Sequence, residues 1–278
     1  MTALRLEAPA KLNLSLRVLG RREDGHHLLA STFVLLELAD RLLLMPGCSG
    51  LRLDGEEATG VPVGADNLAW RGLVAALDGE PDTVCLSVEK RIPAAAGLGG
   101  GSSDAAAAWR LGRAWRGAPD AASAGELIDL AGIGADVPFF AAGMAAARVS
   151  GIGERVEAIE PSERWVALVH PPFGLSTAEI FAELRPDEWG RLRNDLLAPA
   201  RRLRPELDDL FRAVTDAGGD PQLTGSGPTI FSLADDAERA SAVVDRLATS
   251  GLHARMTRTR MTPAAIAPIA EEETDDQP

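Results

Sequence analysis

Between Pro93 and Ser103 the chain reads PAAAGLGGGSS, with four glycines in five residues, directly ahead of DAAAAWRL. Glycine costs about 0.5–1 kcal/mol against alanine in regular structure, so Gly97, Gly99, Gly100 and Gly101 need a reason beyond joining two elements. A glycine-rich turn between a strand and a helix exposes consecutive backbone N–H groups, and the helix N-terminus adds about half a positive charge. Such a loop holds an anion, and a phosphate chain is its natural occupant. The stretch is not a Walker A loop, because no Lys-Ser/Thr follows the last glycine, and not GxGxxG, because position 102 is Ser. The hydroxyls of Ser102 and Ser103 are expected to cap the helix, to donate to phosphate or to help hold Mg²⁺. A tight structural turn is the alternative. It accounts poorly for a loop placed between a β-rich run ending in Ile92-Pro93 and a strong helix former.

Flanking elements must hold that loop in place. LNLSLRVLG from Leu12 alternates Leu12, Leu14, Leu16 and Val18 on one face, the period of a half-buried strand. REDGHHLLASTFVLLEL gives a turn at Asp24-Gly25 and a second extended run, and another short strand is expected near Leu51 to Leu53. In ADNLAWRGLVAAL, Leu68, Leu73, Val74 and Leu77 fall at helical intervals, with Asp66 as the expected cap, and TVCLSVEK is the strand that leads into the glycine loop. Helices follow over 103–117 and 124–131, then a turn at GIGADVPFF and strand material through Val149. ERWVALVHPP opens a second unit: a strand, helices over 177–184 and 205–216, the stretch QLTGSGPTIFSL, and a last helix and strand over 237–256. With the linker inside 156–163, two domains are expected, 1–158 and 159–266. The remaining residues 267–278 include EEETDDQP, five acids without an apolar side chain, and read as a disordered acidic tail.

Composition narrows the partners. An apolar content of 46% in 278 residues is ample for a packed core, and a net charge of -13 without a basic stripe argues against nucleic acid. Cys48 and Cys85 lie far apart with no metal-ligand spacing, so neither a disulfide nor a zinc site is expected and both read as buried small hydrophobes. The N-terminus lacks the apolar core of a signal peptide and no run of about 18 apolar residues occurs, so a cytoplasmic protein without membrane contact is expected. A monomer or weak homodimer completes that picture.

PAAAGLGGGSSDAAAA resembles the phosphate-binding motif of the GHMP kinase superfamily, named after galactokinase and the homoserine, mevalonate and phosphomevalonate kinases. APAKLNLSLRVLGRREDGHHLL, KRIPAAAGLGGGSSDAA, GADVPFF, STAEIF, NDLLAPA and LTGSGPTIFSL, in that order, resemble its cytidyl-substrate branch, the 4-diphosphocytidyl-2-C-methyl-D-erythritol kinases, over roughly 4–265. The resemblance implies a two-domain α/β fold, with an N-terminal half like the second domain of ribosomal protein S5 and a ferredoxin-like C-terminal half. It further implies transfer of the γ-phosphoryl group of ATP to the tertiary 2-hydroxyl of that substrate, with Mg²⁺ as the metal cofactor.

Carried over residue by residue, the resemblance makes Asp136 the catalytic base and Lys11 its partner, which orients it and steadies charge near the transferring group. ATP is then expected on Pro93, Ala94, Ala95, Ala96, Gly97, Leu98, Gly99, Gly100, Gly101, Ser102 and Ser103. Asn67 and Lys90 would lie near the adenosine, although Asn67 also fits as a helix cap and Lys90 as a solvated strand end. TGSGPT at Thr224–Thr229 is the second glycine loop of the family, facing the first, and also fits as a plain strand-to-strand turn. For the substrate, Asn13, Thr177 and Asp136 are the polar contacts. The family sandwiches cytosine between a Tyr in the DG-Tyr-His segment and a Phe in the STA helix. This chain has no Tyr, and its segment reads Asp24-Gly25-His26-His27. The expectation is therefore that His26 stacks opposite Phe181, more weakly than Tyr and with a pH dependence, while His27 bonds the cytosine edge. His170 and His253 match no functional position, and the five tryptophans read as packing residues. A homoserine- or mevalonate-type kinase, and a catalytically silent nucleotide sensor, are the competing assignments. DGHH, GADVPFF and NDLL oppose the first, and retention of both Lys11 and Asp136 opposes the second.

Overall fold

Two long strands, β1 (Leu4–Arg21) and β2 (His27–Pro46), form the antiparallel hairpin at the centre of the computed structural model, which describes residues 2–77, 79 and 81–269. The hairpin changes register between Pro9 and Lys11 and again between Asn13 and Ser15. Leu6 and Ala8 pack in the core that includes Trp70, Leu73 and Leu111, whereas Ala10 and Leu12 pack against Val166, Leu168 and Phe231 of the second unit. A register shift re-aims every side chain beyond it. Here it turns Lys11 away from the second sheet and towards Gly99 and Phe33.

β3 (Gly50–Asp54) runs parallel to β4 (Val84–Glu89), with α1 (Leu68–Leu77) between them, and β4 lies antiparallel on the Arg41–Pro46 end of β2. Then come α2 (Gly100–Trp115), α3 (Ala124–Ala131), the short α4 (Val137–Ala141), β5 (Ala146–Gly151) and β6 (Arg155–Ala158). β5 pairs with β2 over Leu29–Val34, and β6 edges β5. The alanine run in α2 has a packing cause. A Cβ on Gly72 of α1 would stand 2.1 Å from the carbonyl oxygen of Ala105, and one on Gly112 of α2 would stand 2.7 Å from Cβ of Ala76. Two helices this close tolerate only small side chains between them.

The second unit holds β7 (Trp165–Val169), α5 (Thr177–Glu183), α6 (Leu197–Leu203), α7 (Leu207–Asp216), β8 (Gln222–Leu223), β9 (Ile230–Ala234), α8 (Ala237–Thr249) and β10 (Ala254–Arg258). Its strands form an antiparallel sheet in the order β10-β7-β9-β8. β11 (Ala267–Pro268) returns to the first sheet and pairs with Leu4 and Arg5. The mixed α/β architecture in two units is the expected one.

Several local expectations are corrected. Asn67, not Asp66, caps α1: its Oδ1 accepts from the backbone N–H of Ala69 at 2.8 Å, while Asp66 belongs to a 3₁₀ turn. α2 begins at Gly100 with Gly99 as its left-handed N-cap (φ 73°), so neither Ser102 nor Ser103 caps it, and the Ser103 hydroxyl is buried inside the helix. Residues 267–269, read as the start of a tail, are strand-paired or hydrogen-bonded to Ala3, and Ala264 sits in the first unit's core. The rest of that tail, from 270, lies outside the described residues. Among the described residues no helix is long and apolar enough to cross a membrane.

The cysteine reading is also overturned, because Cys48 and Cys85 form a disulfide. Register causes this: Met45 of β2 pairs with Cys85, and the connector carrying Cys48 turns straight back so that Gly50 pairs with the same residue. Bridging two cysteines 37 residues apart removes about 3–4 kcal/mol of chain entropy from the unfolded state. Reduction is therefore expected to lower Tm by about 5–10 °C in a thermal-shift scan. A Tm that stays put after a thiol assay has confirmed reduction would refute this.

Candidate active site

A cavity of about 470 Å³ opens between the two units, lined by Lys11, Asn13, Phe33, Gly97, Gly99, Ser102, Asp136, Thr177, Phe181 and the Gly225–Gly227 turn. Its floor is a network centred on Lys11, which is 3% exposed. Lys11 Nζ donates to Asn13 Oδ1 at 2.6 Å and to the Gly97 carbonyl at 3.0 Å, and stands 3.3 Å from Asp136 Oδ2. An ammonium has three protons, so these three acceptors use its full capacity. The Phe33 ring, 5.1 Å from Nζ, lies beneath the cation. Asn13 is oriented in turn: its Nδ2 donates to Ser31 Oγ at 2.9 Å, and its backbone N–H to Thr224 Oγ1 at 3.1 Å.

Asp136 precedes α4, where Pro138 lies in the first turn, and its carboxylate makes no cap hydrogen bond. A side chain that caps nothing is free to serve the cavity, and this one is 31% exposed on the Lys11 side. The turn between β5 and β6 backs its loop so closely that a Cβ on Gly153 would stand 2.0 Å from the Ala135 carbonyl oxygen. Gly153 and Ser31 are site-building residues that no spacing rule singles out, whereas Thr224 belongs to the TGSGPT loop expected to face the first.

The glycine loop meets the second glycine loop at Gly97. Gly97 has φ 74°, and its Cβ would lie 2.7 Å from the carbonyl oxygens of both Thr224 and Gly227. Among the described residues Ala95, at φ 52°, is the non-glycine residue with a positive φ. Positive φ recurs at every second position of the loop, Ala95, Gly97 and Gly99, a pattern suited to turning N–H groups to one side as in an anion nest. The NDLLAPA segment supports the second loop from below: Asn194 Nδ2 donates to the carbonyls of Leu223 at 2.9 Å and Gly225 at 2.8 Å, and Asp195 accepts from the N–H groups of Val18, Gly190 and Leu192. His170 braces the same loop through Thr229 Oγ1 at 3.1 Å. Burial, with His253 and Arg255 nearby, pushes its imidazole down to about 4, so it is neutral at pH 7. Gly97→Ala is expected to separate the two loops and reduce kcat/KM for ATP by at least about 10-fold, since a left-handed non-glycine residue alone costs about 1–2 kcal/mol. Steady-state kinetics against ATP reads this directly, and wild-type values would refute the loop contact as a functional one.

At the far end of the cavity the aromatic arrangement differs from expectation. His27, not His26, faces Phe181, with ring centroids 5.0 Å apart and planes at 24°, and Trp189 meets the same imidazole edge-on at 6.0 Å. His26 is 65% exposed and turns back to Asp24, its Nδ1 3.2 Å from Oδ1. His27 begins β2 opposite Arg21, and adjacent residues of a hairpin point to opposite sides. Desolvation, then Arg21, lowers the His27 pKa from 6.5, so the ring against Phe181 is neutral at pH 7. Thr177 begins α5 and shares a 2.8 Å hydrogen bond with Ser226 Oγ.

Two expected nucleotide contacts are not brought to this cavity. Asn67 serves as the α1 cap, with its Nδ2 donating to the Pro62 carbonyl at 2.7 Å, and it does not line the cavity. Lys90 is no solvated strand end either: its ammonium is buried between Asp40 and Asp104, because a buried charge must be paired. Among the described residues no group of three or more His, Cys, Asp or Glu side chains is placed to hold a metal ion.

Comparison with known proteins matches residues 67–144 to the GHMP kinases N terminal domain and residues 177–253 to the GHMP kinases C terminal model. A 4-diphosphocytidyl-2-C-methyl-D-erythritol kinase of Dinoroseobacter shibae is 38% identical over 276 residues, covering 87% of this chain and 89% of the relative. Its counterpart from Pelotomaculum thermopropionicum is 35% identical, with 91% and 96% covered. Among solved structures, a 4-(cytidine 5'-diphospho)-2C-methyl-D-erythritol kinase superposes with TM-score 0.76 at 33% identity over 92% of this chain and 98% of its own. A homoserine kinase from Cytophaga hutchinsonii superposes with TM-score 0.68 at 16% identity over 96% and 98%, a likeness of fold alone.

Proposed function

The chain belongs to the 4-diphosphocytidyl-2-C-methyl-D-erythritol kinases of the GHMP kinase superfamily, and we propose that Asp136 and Lys11 carry its reaction at the mouth of the first glycine loop. It is an ATP-dependent phosphotransferase acting on an alcohol of a small molecule. The acceptor is the 2-hydroxyl of 4-diphosphocytidyl-2-C-methyl-D-erythritol, in the non-mevalonate route to isoprenoid precursors. Homoserine and mevalonate kinases share the fold at 13–16% identity, and the relatives at 35–38% carry the cytidyl substrate in their names.

In the step proposed here the hydroxyl oxygen attacks the γ-phosphorus, the bond from that phosphorus to the β,γ-bridging oxygen breaks, and ADP leaves with its electron pair. The hydroxyl proton passes to Asp136. Lys11, fixed by Asn13 and the Gly97 carbonyl, orients the Asp136 carboxylate and sets a positive charge beside the transferring group. The phosphate chain lies on Pro93–Ser103, where the α2 N-terminus and loop amides face the cavity. Mg²⁺ would be held here chiefly by the phosphates themselves and would neutralise charge on the transferred group, which leaves the Asp136 carboxylate on the cavity wall to take the proton. The cytidine end lies towards Phe181 and His27, with Asn13 and Thr177 as polar contacts. We also propose a cytoplasmic monomer or weak homodimer that uses neither nucleic acid nor membrane.

The observation that carries this reading is the Lys11–Asp136 pair at 3.3 Å, held at the glycine loop inside the cleft. A coupled ADP-release assay with Mg²⁺-ATP tests it. Turnover on the cytidyl substrate, and none on homoserine or mevalonate, is the expected result. Turnover on one of those alcohols instead would discard the substrate and keep the kinase.

A further inference from the structure

The most deeply buried ion cluster lies outside the cleft, under the root of the glycine loop. Asp40 of β2, Lys90 at the end of β4 and Asp104 in α2 are 0%, 3% and 5% exposed. Lys90 Nζ bonds both Asp40 Oδ2 and Asp104 Oδ2. The other Asp40 oxygen accepts from the backbone N–H groups of Arg91 and Ile92, the latter at 2.8 Å. Asp40 therefore holds the chain where it enters the loop, and through Lys90 it also holds Asp104, one turn past the loop's exit. Gly100 sits over the cluster: its Cβ would lie 3.1 Å from Ile92 and 3.7 Å from Asp40 Oδ2.

Stability alone does not explain three charges in a core. Desolvation offsets much of their attraction, and buried ion clusters replaced by apolar side chains of similar volume are often no less stable. What an apolar trio lacks is direction. Hydrogen bonds to both ends of a loop fix their separation, and the loop's amides converge on one point only at the right separation.

We propose that Asp40, Lys90 and Asp104 are positioning residues for nucleotide binding, holding the entry and exit of the glycine loop at the spacing that aims its amides at the phosphate chain. The inference rests on the assignment of the phosphates to that loop. A consequence separates this role from a merely structural one: loss of the cluster should weaken nucleotide binding and leave the acceptor side of the cleft, which the cluster does not touch, nearly unchanged.

Calorimetric titration with Mg²⁺-ADP, which needs no acceptor substrate, tests this. The triple variant Asp40→Asn, Lys90→Met, Asp104→Leu removes the charges together and leaves no uncompensated ion. It is expected to bind ADP at least about 10-fold more weakly, as misplaced positioning groups do, with KM for the cytidyl substrate nearly unchanged. Asp104→Leu leaves the Asp40–Lys90 pair intact and releases only the loop's exit, so it should weaken ADP binding by about threefold or more with KM for the cytidyl substrate nearly unchanged. A folded triple variant with wild-type ADP affinity overturns the proposal, as does an equal loss for ADP and for the cytidyl substrate. If the triple variant does not fold, Asp104→Leu decides on the same two readouts. Absence of ADP binding by the wild-type chain would instead remove the phosphate assignment beneath it.

Discussion

Asp136→Asn lowers kcat by about 10³-fold and leaves KM for ATP within a few-fold, the loss expected when a general base is removed from a site that still positions its substrates. The fold survives the change. Asp136 makes no cap hydrogen bond, it is partly exposed, and Lys11 keeps Asn13 Oδ1 and the Gly97 carbonyl as acceptors. Tm should therefore move little. The magnitude is diagnostic because phosphoryl transfer runs through a loose transition state, in which the attacking oxygen is only weakly bonded and a base has modest work to do. A loss of less than about 10-fold would mean that positioning and charge carry the rate and that the proton leaves by another route, which removes Asp136 as the base. A loss of about 10³-fold or more, with ATP binding intact, assigns the proton. A tertiary hydroxyl is a crowded nucleophile, and crowding favours the second outcome.

Legibility of this molecule followed the range over which each feature is encoded. The glycine loop announced itself because four glycines before an alanine helix are a local signal, and the hairpin, α3, α5 and α7 were readable from period and turn residues. The Lys11–Asp136 pair was not readable from spacing, since 125 residues separate them and only the resemblance joined them. The histidines failed for a different reason. His26 and His27 differ by one position, and a one-residue difference of register reverses which of them faces Phe181. Cys48 and Cys85 meet through strand pairing that joins residues far apart in sequence, and a pair of cysteines carries no mark of it. Asp40 and Asp104 are likewise unmarked in the sequence, and Lys90 is singled out for a different contact, until β2, β4 and α2 bring the three together. In each case the missing information was a non-local register, which local propensity does not contain.

Lys11→Met tests whether the two cleft residues act separately or together. Methionine matches the length of the lysine stem, which packs its Cγ and Cε against Gly99, so the change removes the charge while filling the same channel. It leaves Asn13 Oδ1, the Gly97 carbonyl and Asp136 without their shared donor, at a stability cost of about 1–3 kcal/mol. The catalytic cost should be larger, about 10²–10³ in kcat, because a fixed cation beside developing charge in a water-poor cleft acts where the local dielectric is low. KM for ATP is expected to rise as well, since the Gly97 carbonyl belongs to the loop that holds the phosphates. The double variant Lys11→Met, Asp136→Asn then decides between two mechanisms. If Lys11 works through Asp136, by orienting the carboxylate, the double variant is no slower than the worse single variant, the non-additivity of residues that act as a unit. If Lys11 instead stabilises the phosphoryl group on its own, the two losses multiply. The three contacts around Nζ favour coupling: with Asn13 and Gly97 holding two of its protons, the third is left for Asp136, and the cation has no free donor to offer the phosphate until that contact opens.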